Sequence, residues 1–210
     1  MRQWVKEGQK KSTGRDRFIA QQYFLILANT GMRVGELRGL KWGDLRTVQT
    51  DGGSRLVAYV RGKTGAREVV FQAGADEYVK RLYDMRVEEL SEQAKTDAER
   101  KPKPTDFVIC HPDGTAIQSM KKSFASLLAY AQIPPSRDGM DRTIYSLRHF
   151  YATQRLSHET SPFLLAKQMG TSVEMLEKFY GQTVTSSLAA EISKSKQKAA
   201  DPTEKGYPFE

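Results

Sequence analysis

Apolar residues occupy almost every side of a helical wheel between Arg17 and Ala28, the pattern of a helix buried all round. Gly31 follows, placed to close that helix as a left-handed cap. A short helical stretch through Leu40 comes next, and then the period changes. From Thr47 to Phe71 the chain reads as strand: Arg55 to Arg61 is rich in Leu, Val and Tyr, and Glu68 to Phe71 pairs naturally with it. The intervening Gly62-Lys63-Thr64-Gly65 supplies glycines for positive φ, so a β-hairpin is predicted with Lys63 at its tip. Val79, Leu82, Tyr83, Val87 and Leu90 return to helical spacing. The charged stretch that follows, up to Pro102 and Pro104, reads as a solvated face and loop.

Phe107 to Cys110 suggests a short strand before a His111-Pro112-Asp113-Gly114 turn. Phe124, Leu127, Leu128 and Ala131 mark an amphipathic helix. Further helices are predicted over about 146–156, 161–169 and 171–180, with Ser161-Pro162 suited to a helix start. One more is predicted over 186–199, before a tail containing Pro202, Gly206 and Pro208. The expected fold class is mainly α with a small antiparallel β-sheet, an α+β domain. The expected division is a basic N-terminal segment over 1–16, a main domain over 17–182, and a C-terminal helix and tail over 183–210.

The 210 residues, 39% of them hydrophobic, suffice for one domain with a substantial core. Lys and Arg number 33 against 25 Asp and Glu, a net charge of +8, which makes a polyanion the first partner to test. Many basic proteins never touch nucleic acid, so motifs must decide. The single cysteine, Cys110, has no partner for an intramolecular disulfide, no Cys/His cluster has zinc-ligand spacing, and a reducing compartment is the simpler reading. The charged N-terminus is not followed by the apolar run of a signal peptide, and no stretch approaches the roughly 20 apolar residues of a membrane span.

Four segments stand out together. They are T-G-M-R-V-G-E-L-R-G-L-K-W-G-D-L at 30–45, the hairpin tip at Lys63, Y-S-L-R-H-F-Y-A-T at 145–153, and M-G-T-S-V-E-M-L-E-K-F-Y at 169–180. In order and spacing they resemble the active-site boxes of the phage-integrase family of tyrosine recombinases, over about residues 17–182. Each box alone is a weak signal. The resemblance implies that family's catalytic-domain fold, with Tyr180 as nucleophile, Arg33 and Arg148 as the arginine pair, Lys63 as general acid, and Glu36 at the family's acidic position, orienting an arginine. Attack on a phosphodiester builds charge on two non-bridging oxygens, and a guanidinium fork matches that geometry while remaining charged at any working pH. A phosphotyrosyl ester conserves the energy of the cut bond, so no cofactor is needed.

Gly62-Lys63-Thr64 also looks like the end of a P-loop, but that motif needs glycine where the chain has Val57, and a helix where a strand is predicted. Two positions depart from the family pattern. Tyr145 stands where histidine is usual, and a phenol with a pKa of about 10 is a poor base at neutral pH, so it is expected to hydrogen-bond the phosphate or a neighbour. Thr171 stands where histidine or tryptophan is common; with Glu174 it makes a capping-box pattern, and its hydroxyl is also short enough to bond a phosphate oxygen. His149 is expected to pack in a supporting role, while His111 and His158 have none assigned. No metal site is expected.

The family resemblance further implies double-stranded DNA as partner, no membrane, self-assembly on DNA into a tetramer from a monomer, and residues 183–200 as a segment passed to a neighbour. It implies a cytoplasmic, nucleoid-associated protein of bacterial or phage origin. Family members carry an N-terminal domain that closes around DNA, for which this chain has no room, so a fragment or remnant is expected. Two alternatives stay open: a non-catalytic DNA-binding remnant, and a type IB topoisomerase-like enzyme.

Overall fold

The computed structural model describes residues 1–9, 13–62, 65–92, 94–158 and 160–187, with residues 9 and 181–187 as backbone only. Its centre is the segment whose apolar residues face every direction. It forms α2, Gly14–Thr30, and buries Ile19, Ala20, Tyr23, Phe24, Ile26 and Leu27 along with the polar Gln22 and Thr30. A helix with no polar face must be covered on all sides, and α2 is packed against helices from both halves of the chain. It ends as predicted: Gly31 takes φ +66 and donates its N–H to the Leu27 carbonyl at 3.0 Å.

One covering helix was not legible as such. The segment read as basic contains α1, Arg2–Gln9, which lays Trp4 (1% exposed) and Val5 into the core against α2. The Arg17 guanidinium lies 4.9 Å from the Trp4 ring centroid and donates to the Trp4 carbonyl at 2.8 Å. Two apolar residues among charges give a weak periodic signal, and the tertiary contact decides.

After α3, Val34–Arg38, come β1, Leu45–Thr50, β2, Gly53–Gly62, and β3, Gly65–Val70, in an antiparallel sheet of that order. The predicted hairpin is β2–β3, closing at the Gly62–Gly65 pair with Gly65 at φ +103. Its tip residues, Lys63 and Thr64, lie outside the described residues. The sheet turns Ala58, Val60 and Val69 inward. Arg67 lies two residues before Val69, on the same face by the two-residue period of a strand.

Helix α4, Asp76–Ser91, buries Val79 and Leu82, and α5, Lys121–Tyr130, buries Phe124 and Leu127. Between them the expected strand at Phe107–Cys110 does not form. Phe107 bridges Lys41 and Cys110 bridges Ala116, single pairings with two different segments that build no ladder, although Val108, Ile109 and Cys110 are buried. A small hairpin, β4 Ser136–Arg137 and β5 Met140–Asp141, turns through Asp138 and Gly139 at φ +52 and +76. Positive φ at both turn residues is the reason an Asp-Gly pair suits a two-residue hairpin.

The chain ends in α6, Ser146–Ser157, α7, Pro162–Met169, and α8, Val173–Ser187. Helix α8 runs seven residues past Tyr180, and the rest of the predicted 186–199 helix falls outside the described residues. These three helices share their own apolar cluster: Tyr151, Ala152, Leu156, Leu165, Ala166, Met169 and Leu176, with Tyr180 against it. Burying one such leucine contributes roughly 1.5–3 kcal/mol, so the cluster is what fixes the position of residue 180. Among the described residues no helix is long and apolar enough to cross a membrane.

Candidate active site

Helix α7 stops at Met169 because Gly170 takes φ +64. A helix end leaves its last carbonyls without intrahelical partners and carries partial negative charge. Three arginines from three parts of the chain take successive carbonyls there. Arg67 on β3 donates Nε to the Gln168 carbonyl at 3.0 Å, and Arg148 on α6 donates Nη2 to the Met169 carbonyl at 2.7 Å. Arg33, immediately before α3, donates Nη2 to the Gly170 carbonyl. Arg148 also donates Nη1 to the carbonyl of Gly31 at 2.5 Å, which ties the end of α2 to the end of α7.

Glu36 supplies the counter-charge. Its side chain is 2% exposed and accepts from Arg67 Nη1 at 2.5 Å and Nη2 at 2.8 Å, a bidentate pair. The Arg33 backbone N–H reaches it at 2.8 Å and the Arg33 guanidinium at 2.9 Å. Burial alone would raise its carboxyl, but the bonds from Arg67 and then Arg33 overcome that and hold the pKa down at about 2. Glu36 therefore stays charged and locks Arg33 in place. The Gln168 side chain completes the frame: its amide pairs with Val70 in both directions, at 3.0 and 2.8 Å, and so joins α7 to β3.

A second group stands beside Arg148. Tyr145, directly before α6, is 48% exposed, and its ring meets His149 edge-on at 5.2 Å. Across from α6, the Tyr180 hydroxyl on α8 lies 2.5 Å from His149 Nδ1. Burial, and secondarily Tyr145, push the Tyr180 phenol up to about 12 against the lowering effect of Arg148. Burial and the Arg148 charge lower the His149 imidazole below its ordinary value. Arg148 itself is 4% exposed, and burial lowers its pKa from a value so high that it keeps its charge.

A cavity of about 590 Å³ opens between the sheet and the start of α8, lined by Arg33, Arg67, Lys167, Gly170, Thr171 and Ser172. Cations and hydroxyls on one wall suit an anion. Thr171 thus sits at the cavity, but not as the cap of α8. That helix begins at Val173, and Ser172 Oγ accepts the Met175 N–H at 3.1 Å, so the capping pattern expected of Thr171 and Glu174 is set one residue later. Tyr145 lines a separate, more apolar cavity bordered by Tyr23, Phe124, Leu128 and Ile144.

Of the residues singled out by sequence, Arg33, Glu36, Arg148 and Thr171 meet around the end of α7, and Tyr145, His149 and Tyr180 meet beside Arg148. Lys63 lies outside the described residues. Arg67 and Gln168 were missed. The signal for Arg67 was its period, a lone charge in step with inward-facing Val69; Gln168 left none, since its partners are main-chain groups. Among the described residues no three His, Cys, Asp or Glu side chains group as a metal could require.

A helical domain around a small antiparallel sheet, with an arginine cage at a helix end and a tyrosine on the following helix, has the fold of the catalytic domain of tyrosine recombinases. The chain belongs to the phage integrase family, whose model matches residues 5–185. Solved structures with this fold include the XerH site-specific recombinase bound to a palindromic difH substrate (18% identity, TM-score 0.61, covering 90% of this chain and 50% of that one). The Tn1549 transposon integrase in complex with transposon right-end DNA is similar at 18% identity and TM-score 0.56, over 90% of this chain and 61% of that one. XerA recombinase matches at 18% identity and TM-score 0.58, over 88% of this chain and 65% of that one. The chain thus spans between half and two thirds of the length of these proteins. Curated proteins offer no sequence match to it.

Proposed function

We propose that this chain acts as a site-specific recombinase, cutting and rejoining double-stranded DNA through a 3′-phosphotyrosyl bond to Tyr180. The observation that carries the reading is the meeting of Arg33 and Arg148 on the consecutive carbonyls of Gly170 and Met169, with the Tyr180 phenol in the field of Arg148. Each guanidinium has five N–H donors. Arg33 spends one on Glu36 and one on Gly170, which fixes its plane and leaves the others for non-bridging phosphate oxygens. Glu36 acts by holding Arg33. Tyr145 and Thr171 hydrogen-bond the phosphate from either side of the arginines, and Lys63 gives its proton to the leaving 5′ oxygen.

Tyr180 attacks phosphorus, the bond to the 5′ oxygen breaks, and the 5′ hydroxyl of a partner strand later reverses the step. The ester keeps the bond energy, so no nucleotide is consumed, and the arginines supply the charge stabilisation at the phosphate. Duplex DNA as partner is supported by the +8 charge and by the DNA-bound state of the XerH and Tn1549 structures. The protein works as a tetramer on paired sites, is a monomer without DNA, and resides in the cytoplasm with the nucleoid.

The test uses duplexes nicked beside randomised sequence, from which the 5′-hydroxyl fragment diffuses away after cleavage. The wild-type chain is expected to give an SDS-resistant protein–DNA adduct that Tyr180→Phe abolishes. No adduct from the wild type, or an adduct that persists in Y180F, overturns the proposal. Relaxation of a supercoiled plasmid without strand exchange between marked sites replaces it with topoisomerase-like action.

A further inference from the structure

We propose that His149 is the catalytic base for Tyr180, taking the phenolic proton on Nδ1 as the tyrosine attacks phosphorus. The inference rests on the recombinase reading and supplies the proton acceptor that Tyr145 cannot be. Its ground is geometry: His149 Nδ1 lies 2.5 Å from the Tyr180 hydroxyl oxygen, with ring centroids 5.7 Å apart. No other described side chain is hydrogen-bonded to that hydroxyl.

The position follows from the helices. Arg148 turns into the core, and the next residue, about 100° further round α6, is carried towards α8 and meets Tyr180. Helices α6 and α8 share the cluster that includes Tyr151, Ala152 and Leu176, so the approach is built into their packing. His149 is exposed overall, which leaves a route for the proton to and from water. The groups facing its ring among the described residues are Tyr145 and Arg148 at the start of its own helix, and Phe179 and Tyr180 from α8.

The step balances. A neutral imidazole protonated on Nε2 accepts the Tyr180 proton on Nδ1 and becomes imidazolium, while the phenolic oxygen bonds to phosphorus and the bond to the 5′ oxygen breaks. On religation the imidazolium returns the proton to the departing tyrosine oxygen. Burial, and then the Arg148 charge, lower the imidazole and favour its neutral, proton-accepting form, and the high phenol pKa means that the proton moves with bond formation rather than before it.

The experiment measures the single-turnover rate of adduct formation with the full chain. Its substrate carries sulfur in place of the 5′ bridging oxygen, a leaving group that needs no proton and so silences Lys63. His149→Gln keeps a hydrogen-bonding side chain without a base and is expected to slow the reaction roughly 10²-fold or more. It should also remove the fall in rate that the wild type shows as pH drops through the imidazole range. Added imidazole should restore part of the rate to His149→Ala, which a purely structural role would not allow. An H149Q rate and pH profile like the wild type, or an H149A variant that imidazole leaves unchanged, overturns the inference while leaving the recombinase reading intact. A wild type that forms no adduct overturns both.

Discussion

Replacing Arg67 with methionine removes the bidentate pair to Glu36 and the bond to the Gln168 carbonyl while keeping an apolar stem of similar reach. The carboxylate left behind is 2% exposed and keeps only the backbone and guanidinium of Arg33. Breaking one side of a buried ion pair costs about 3–5 kcal/mol, and the surviving Arg33 contact puts this case near the lower end. For a domain of this size, that is a fall in Tm of roughly 6–12 °C. The effect carries a pH signature. In the wild type the Glu36 pKa is depressed from 4.5 to about 2, so its contribution is fully present above 4.5 and is lost as pH falls towards 2. At about 1.36 kcal/mol per unit, that is on the order of 3 kcal/mol. In Arg67→Met, burial acts with less opposition and the pKa rises, so the variant lacks that acid-sensitive component. Calorimetric melting of both proteins at neutral pH and again near pH 3 should show a wide gap that closes by about 2 kcal/mol. A gap that is absent at neutral pH, or as wide in acid, would falsify the account of Glu36 as the buried counter-ion of the cage.

Two further outcomes test the same region. A Cβ on Gly170 would lie 2.8 Å from the Arg67 guanidinium carbon at a backbone φ of +64. Gly170→Ala should therefore cost about 2 kcal/mol or more by urea unfolding, whereas Gly35→Ala, in a helix and with no atom within 4 Å of its Cβ, should be neutral or stabilising. Equal effects at the two positions would remove the crowding argument. Lys167 is exposed on the wall of the cationic cavity. If that cavity takes a DNA phosphate, Lys167→Ala should weaken duplex binding and reduce the slope of log affinity against log salt by about 0.9, measured by fluorescence anisotropy. An unchanged slope would place the backbone contacts elsewhere.

Fold and site differ in how much of each could be read before the structure. Helix α2 was legible because a helix apolar on every side has one solution, and Gly31 because only a left-handed cap suits that place. The boxes holding Arg33, Arg148 and Tyr180 were legible as a pattern of residue types. Helix α1 was not, since Trp4 and Val5 acquire meaning only against α2. Most of β1 was legible, since strand character was read from Thr47 onward; only Leu45 and Arg46 gain theirs from pairing with Ala58 and Val57 on β2.

The cage illustrates the harder limit. Its acceptors are the carbonyls of Gly31, Gln168, Met169 and Gly170. Every residue type has a carbonyl, so no alphabet of side chains marks these four as special. What makes them so is that a helix has just ended there, with acceptors unspent and a partial negative charge. A substitution at 168 or 169 that kept the helix would keep the acceptors, whereas one that moved the helix end by a residue would displace all three arginines at once. The site is therefore held as much by where α7 stops as by which side chains surround it. Gly170, which decides where it stops, belongs with the arginines in any account of how they are aimed.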